Sequence, residues 1–259
     1  MTWFQWLANE PLWVATVLLG GGGLMLSVVS SLIVHAYFTP AELQGNSLVG
    51  GFKFAFLSSV FAGYLGLLLF GAYQKYEDVR VFVDEEIDAL QSMQDLATGF
   101  PLSTREIVRV HIRDYAKSVA EDEWPILHIG TGSARTEAAL GDIFAVYMAL
   151  EPLTEKERVV YQLSLDNLLK VRDMRSRRIL LGAGALNPLL LISALIGTVV
   201  SIIFPAFFAS AHFGATMIMS MMLTIVTMTV VLIIVKFTYP FLGDYAVSAE
   251  PFRILALGR

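Results

Sequence analysis

The sequence predicts an all-α protein: four transmembrane helices, with an α-helical polar domain between spans two and three. Three observations predict it. From Ile179 to Val235 there is no Lys, Arg, Asp or Glu, a run long enough for two bilayer crossings. Two more uncharged stretches, Pro11–Ala41 and Phe54–Gln74, each suffice for one crossing. Between these pairs lies the charged segment from Lys75 to Arg178, which lacks the β-branched alternation of strands. Backbone polar groups in lipid must be satisfied within their own segment, so the apolar runs are helices. Composition agrees, with 56% hydrophobic and 16% charged residues and a mean hydropathy of +0.64. The absence of cysteine excludes disulfides, thiolate metal sites and Cys nucleophiles.

Taken in order, the spans fall at Leu12–Phe38, Phe54–Tyr73, Ile179–Phe204 and Gly214–Phe237. The first apolar segment is too long for a signal-peptide core and has no basic flank, so it is expected to be retained. The domain organisation is then 1–74 (spans one and two), 75–178 (helical cytoplasmic domain) and 179–259 (spans three and four with a cytoplasmic tail). The second span is expected to continue through Glu77, Asp84 and Asp88 towards Gly99, with Pro101 closing it. Ser103-Thr104-Arg105-Glu106 reads as a capping box opening a helix that ends near Trp124-Pro125. Residues Ile126–Ser133 read as a loop, followed by a helix over about Arg135–Leu150. Thr154-Glu155-Lys156-Glu157 is a second capping box, whose helix runs on into the third span. Asn187-Pro188 either kinks that helix or marks the span's true start. Pro205–Phe213 is the turn between the last two spans, where His212 reads as a polar loop residue. Placing the polar domain inside leaves Lys53 as the sole outward base among 18, so both termini face inward, on the cytoplasmic side.

Charge is polarised along the polar domain. Glu77, Asp78, Asp84, Glu85, Glu86, Asp88 and Asp95 crowd the segment after the second span, and bases crowd Lys156–Arg178. Two readings stay open. The helices pair their charges on a wet surface, or Glu77, Asp84, Glu85 and Asp88 line an inner vestibule that concentrates cations. Arg172, Arg175, Arg177 and Arg178 are expected at the membrane surface against anionic lipid. Glu121-Asp122-Glu123 reads as a solvated helix end.

No Asp, Glu, Lys or Arg lies deep in a span, which argues against a self-sufficient proton pump. Lys236, near the inner end of the fourth span, is expected to snorkel to the interface. Gly20–Gly23, Ser27 and Ser30 form a close-packing face on the first helix, and Ala62, Gly63 and Gly66 do so on the second. Phe61, Leu65 and Leu68 recur at helical spacing on the second helix. They either face lipid or form a hydrophobic constriction around an oligomer axis. Thr216, Ser220, Thr224 and Thr227 make a hydroxyl stripe on the fourth helix, suited to interhelical hydrogen bonding or, less readily, to pore lining. The methionines at 217, 219, 221 and 222 read as packing and lipid contact. No P-loop, G-x-S-x-G or H-E-x-x-H occurs, so the chain is not expected to be an enzyme. No cofactor, metal site or nucleic-acid partner is expected.

The stretch Tyr239-Pro240-Phe241-Leu242-Gly243, followed by Val247-Ser248-Ala249-Glu250-Pro251-Phe252, resembles the closing motif of the bacterial bestrophin-like family. The segments Val83–Leu90, Asp114-Tyr115-Ala116 and Asp122-Glu123-Trp124-Pro125 are similar to that family's cytoplasmic helices. The resemblance covers essentially the whole chain, including the pair–domain–pair layout. It implies a pentameric ion channel whose second helix lines the pore and carries an apolar neck, which by position would be Phe61, Leu65 and Leu68. Bestrophins also carry an acidic calcium clasp after the fourth span. This chain has only Asp244 and then Glu250 there, so calcium gating of that type is not expected.

The leading reading is thus a homo-oligomeric ion channel in a lipid bilayer, with inorganic ions as its cargo and a lean towards cations. The alternatives are a non-conducting membrane scaffold or signalling protein, and a stator-like proton-channel subunit completed by a partner.

Overall fold

The computed structural model describes residues 2–184, 186–208 and 213–258, apart from the side chains of Pro40 and Asn46. His212 lies outside the described residues. Among the described residues the chain is helical, with no strand. The α-helices of the described residues follow in order: α1 (Trp3–Asn9), α2 (Leu12–Tyr37), α3 (Pro40–Leu96), α4 (Leu102–Ser118), α5 (Ala134–Met148), α6 (Glu155–Gly182), α7 (Pro188–Ile203), α8 (Phe213–Thr238) and α9 (Glu250–Ala256). Four of them are long and apolar enough to cross a membrane: α2, α3, α7 with its 3-10 extension to Phe207, and α8. This is a membrane protein with the expected number of spans.

The chain divides into two units. The first comprises Met1–Gln74, Leu186–Thr238 and Leu242–Asp244; the second comprises Lys75–Ala185, Tyr239–Phe241 and Tyr245–Arg259. In the first, α2 packs chiefly on α8 and also on α7. The contact uses residues at three- and four-residue spacing on α2: Ala15, Leu19, Gly23, Ser27, Ser30 and Val34 are all buried. Gly23 is the closest approach, since a Cβ there would sit 2.6 Å from the Met228 side chain and 3.1 Å from that of Thr224. Small residues let the backbones approach, which is how helices associate without a hydrophobic driving force. Gly21 and Gly22 are exposed, so only part of the glycine run packs.

In the second unit, buried apolar side chains from the end of α3 and from α4, α5, α6 and α9 form one core. Leu90, Met93, Ile112, Tyr115, Ile143, Tyr147, Leu168 and Phe252 are its largest fully buried members.

Several boundaries differ from expectation, each for a local reason. Helix α3 begins at Pro40, well before Phe54. Thr39 and Glu42 form a reciprocal cap, with the Glu42 carboxylate accepting the Thr39 N–H at 2.8 Å and proline occupying the first helical position. The Ser103 box does not form; the cap of α4 falls two residues earlier, at Pro101, and the helix starts at Leu102. The Thr154 box does form. Helix α6 stops at Gly182, and the third span starts at Pro188, where the Asn187 side chain accepts the Leu189 N–H at 2.9 Å.

Gly182 ends α6 directly against the chain at Leu127, because a Cβ there would lie 2.2 Å from the Leu127 carbonyl oxygen. Gly182→Ala should therefore cost about 1–3 kcal/mol through forced backbone displacement. Gly141→Ala, within α5 and with open space around it, should instead gain about 0.5–1 kcal/mol from helix propensity. Thermal unfolding of the two purified variants against the parent reads both signs.

Candidate pore helix and buried charge network

Helix α3 supplies the span that its own protomer encloses least. Of its most apolar window 11% is buried, against 28%, 39% and 39% for the windows in α2, α7 and α8. One face is covered. Phe61 lies over Gly197, where a Cβ would be 2.3 Å from the ring, and the Tyr64 hydroxyl donates to the Leu190 carbonyl at 3.1 Å and bonds Ser193. Leu65 and Leu68, on that same face, are 6% and 5% exposed.

Phe61, Leu65 and Leu68 thus lie on the covered side of α3. Their stripe is the one that packs within the protomer on the α7 side, because Gly197 and Ser193 leave room for large side chains there. The open face carries Phe52, Phe56, Ser59, Val60, Gly63, Leu67 and Phe70, with Phe56 73% and Phe70 59% exposed. Ala62, Gly63 and Gly66 are also exposed, and nothing among the described residues lies within 4 Å of a Cβ placed at Gly63 or Gly66.

The hydroxyl stripe of α8 turns inward. Ser220 and Thr224 are buried, and Thr224 and Thr227 donate to the Ser220 and Leu223 carbonyls of their own helix at 2.8 and 2.9 Å. Thr216 and Thr227 are half-buried.

The acidic residues after the second span divide. Glu77 pairs with Arg80 at 3.0 Å and Glu85 with Lys170 at 3.1 Å, both on partly exposed surface where such pairs are weak. Asp84 and Asp88 are exposed. Glu86, between them, is fully buried.

Glu86 belongs to a network that the expected lipid contact and solvated helix end had divided between two unrelated roles. Arg178 is fully buried, its Nε 3.0 Å from one Glu86 oxygen and its Nη2 3.0 Å from Glu123. Arg175 bonds Glu123 through Nε and Nη2, the latter at 2.6 Å, and reaches Glu137 at the edge. The Tyr115 hydroxyl donates to Glu86 at 2.6 Å, and the Ser133 N–H donates to Glu123 at 3.0 Å. The Arg178 guanidinium also lies 5.2 Å from the Trp124 ring centroid and 5.4 Å from that of Phe252. Glu123 stands in a single π-helical turn, Val119–Glu123, an irregularity common at functional sites.

Burial alone would lower the Arg178 guanidinium, but Glu86 and Glu123 outweigh it and hold the group above its ordinary value. Burial, with Glu86 alongside, pushes the Tyr115 phenol well up. Both arginines stay charged and the tyrosine stays neutral throughout the working pH range. Arg172 and Arg177 remain exposed, Arg177 pairing with Asp173 at 3.0 Å. A sequence signal for the network did exist: Arg175 and Arg178 continue the apolar register Leu168, Val171, Met174 of α6.

The closing motif works as structure. Phe241 packs edge-on to Trp124 at 5.3 Å, Trp124 Nε1 donates to the Val247 carbonyl at 3.2 Å, and the Pro240 carbonyl accepts the Val247 N–H at 2.8 Å. Gly243 adopts φ 77°, where a Cβ would meet the Ala8 carbonyl oxygen at 2.3 Å. Glu250 and Pro251 open α9.

A four-span helical membrane protein with a helical domain between its span pairs is the class these features define. The chain matches the Bestrophin-like domain over residues 22–252, and it belongs to that family. Its fold is similar to crystal structures of a bacterial bestrophin homologue from Klebsiella pneumoniae. A point variant of that protein superposes with TM-score 0.73 at 12% identity, covering 92% of this chain and 98% of that one. A zinc-phased structure of the homologue gives TM-score 0.70 at 13% identity, covering 90% and 94%. No curated protein matches the chain in sequence.

Replacing Arg178 with Met leaves Glu86 and Glu123 buried without their shared cation. Breaking a buried pair in this way costs about 3–5 kcal/mol. The full-length variant should unfold at markedly lower temperature than the parent in detergent, whereas Arg177→Met should be nearly neutral.

Proposed function

We propose that the protein is a homo-oligomeric ion channel of the bacterial inner membrane, pentameric by analogy with bestrophins. Its termini are inside and α3 lines a pore on the symmetry axis. The observation that carries this reading is the uncovered face of α3: an apolar span with exposed small residues and 11% burial is built to meet other helices. A closed ring of copies supplies them without leaving an unmatched surface.

Phe56, Gly63, Phe70, Glu77 and Asp84 follow one another every seven residues along this one helix. Aromatic rings at Phe56 and Phe70 would form apolar constrictions that gate by dewetting, with a wider layer at Gly63 between them. The acids at Glu77, Asp84, Glu85 and Asp88 then bias the inner mouth towards cations. Only Asp244 and Glu250 stand where bestrophins carry their acidic calcium clasp, so gating of that type is not part of this reading. Family membership and the bestrophin-like fold support a channel over a scaffold.

Single-channel recording from purified protein in planar bilayers tests the reading. Phe70→Ala and Phe56→Ala should raise conductance by widening the constrictions. Leu65→Ala and Leu68→Ala should lower thermal stability, by about 2–5 kcal/mol for a buried leucine, without widening the pore. Conductance insensitive to both phenylalanine changes would remove the open face of α3 from the pore.

A further inference from the structure

Among the described residues of the first unit one basic side chain is buried, and it turns inward rather than towards the interface. Lys236, in the last turn of α8, is 5% exposed. Its ammonium donates to the Ala8 carbonyl at 2.9 Å and to the Glu10 carbonyl at 2.5 Å. These carbonyls lie at the end of α1 and in the bend leading to α2, positions that helix geometry leaves without backbone donors. The neighbouring tail residue Asp244 acts on the other side of the same bend, its carboxylate accepting the Leu12 N–H at the start of α2 at 2.8 Å. Gly243 comes against the Ala8 carbonyl, and only glycine fits that approach. The carboxylates facing the ammonium are those of Asp244 and Glu10.

From this geometry we infer a polar latch. Lys236 and Asp244 hold the α1–α2 elbow shut against the end of the fourth span by satisfying the last acceptors of one helix and the first donor of the next. The elbow carries the exposed Trp3 and Trp6 outward and the buried Leu7 and Ala8 inward, so opening the latch frees α1 as a unit. It also loosens the start of α2, the helix whose register on α8 depends on the close contact at Gly23. An ammonium supplied by the chain itself keeps this closure independent of dissolved ions. The inference stands on the first unit alone and does not depend on conduction.

The absence of native cysteine gives a clean test. Leu7→Cys places a thiol in the position of a side chain that is 1% exposed beneath the elbow. In full-length protein in membranes, maleimide labelling of that thiol should be slow with the latch intact. It should rise roughly tenfold when Lys236→Met or Asp244→Ala is added, as expected for easier local opening. Lys236→Arg, which keeps the donors, should retain protection. Variants are compared only where they elute as the parent oligomer, so global unfolding is not read as opening. Labelling as slow as the parent in both Lys236→Met and Asp244→Ala would show that packing of Leu7 and Ala8 holds the elbow without the latch, and would overturn the proposal.

Discussion

The guanidinium of Arg178, removed from water and held between the carboxylates of Glu86 and Glu123, is the constraint on which the helical domain depends. A charge in that position is tolerated only with partners in fixed geometry, because the desolvation penalty is several kcal/mol per ion. Satisfying it ties α6 to the acidic stretch of α3 and to the π turn after α4. Tyr115 and Arg175 add hydrogen bonds to the same carboxylates from two further sides. Trp124 and Phe252 close over the same cation and bring the C-terminal helix into the core. An apolar core from the same helices surrounds the ion network.

The membrane unit follows different physics. Apolar surface has no reason to avoid lipid, so small residues and hydrogen bonds decide which helices touch. Gly23 lets α2 approach α8, and Gly197 with Ser193 receives Phe61 and Tyr64 of α3. That leaves α3 with a wide uncovered face of alternating aromatic and small side chains. Such a face is awkward in a monomer and natural in a ring, where each copy covers part of its neighbour and the remainder lines the axis. The run of acids that follows along the same helix makes the proposed inner mouth negative.

Much of this architecture was legible in the sequence, because lipid imposes a length and polarity rule that composition reveals directly. The four spans, the Thr154 capping box and the helical polar domain follow from uncharged runs and cap chemistry. Thr39-Pro40-Ala41-Glu42 is an equally good start signal, but the glycines at 45, 50 and 51 obscured a helix that tertiary context carries through them. What covers the second span was legible only in part, for a different reason. Periodicity identifies the stripe Phe61, Leu65, Leu68 but not what covers it, and in lipid a buried stripe and an exposed one have the same composition. Arg175 and Arg178 were read by charge alone, when their place in the apolar register of α6 pointed inward.

The central claim, that copies of this chain enclose a pore with an acidic inner mouth, is tested most directly by reversal potential. Purified protein would be placed in planar bilayers under a KCl gradient. A reversal potential displaced towards the potassium equilibrium value is the predicted result, since acids at the mouth raise local cation concentration. The absence of any current from folded, oligomeric protein would contradict the account. A displacement towards the chloride value would contradict the role given to Glu77, Asp84, Glu85 and Asp88.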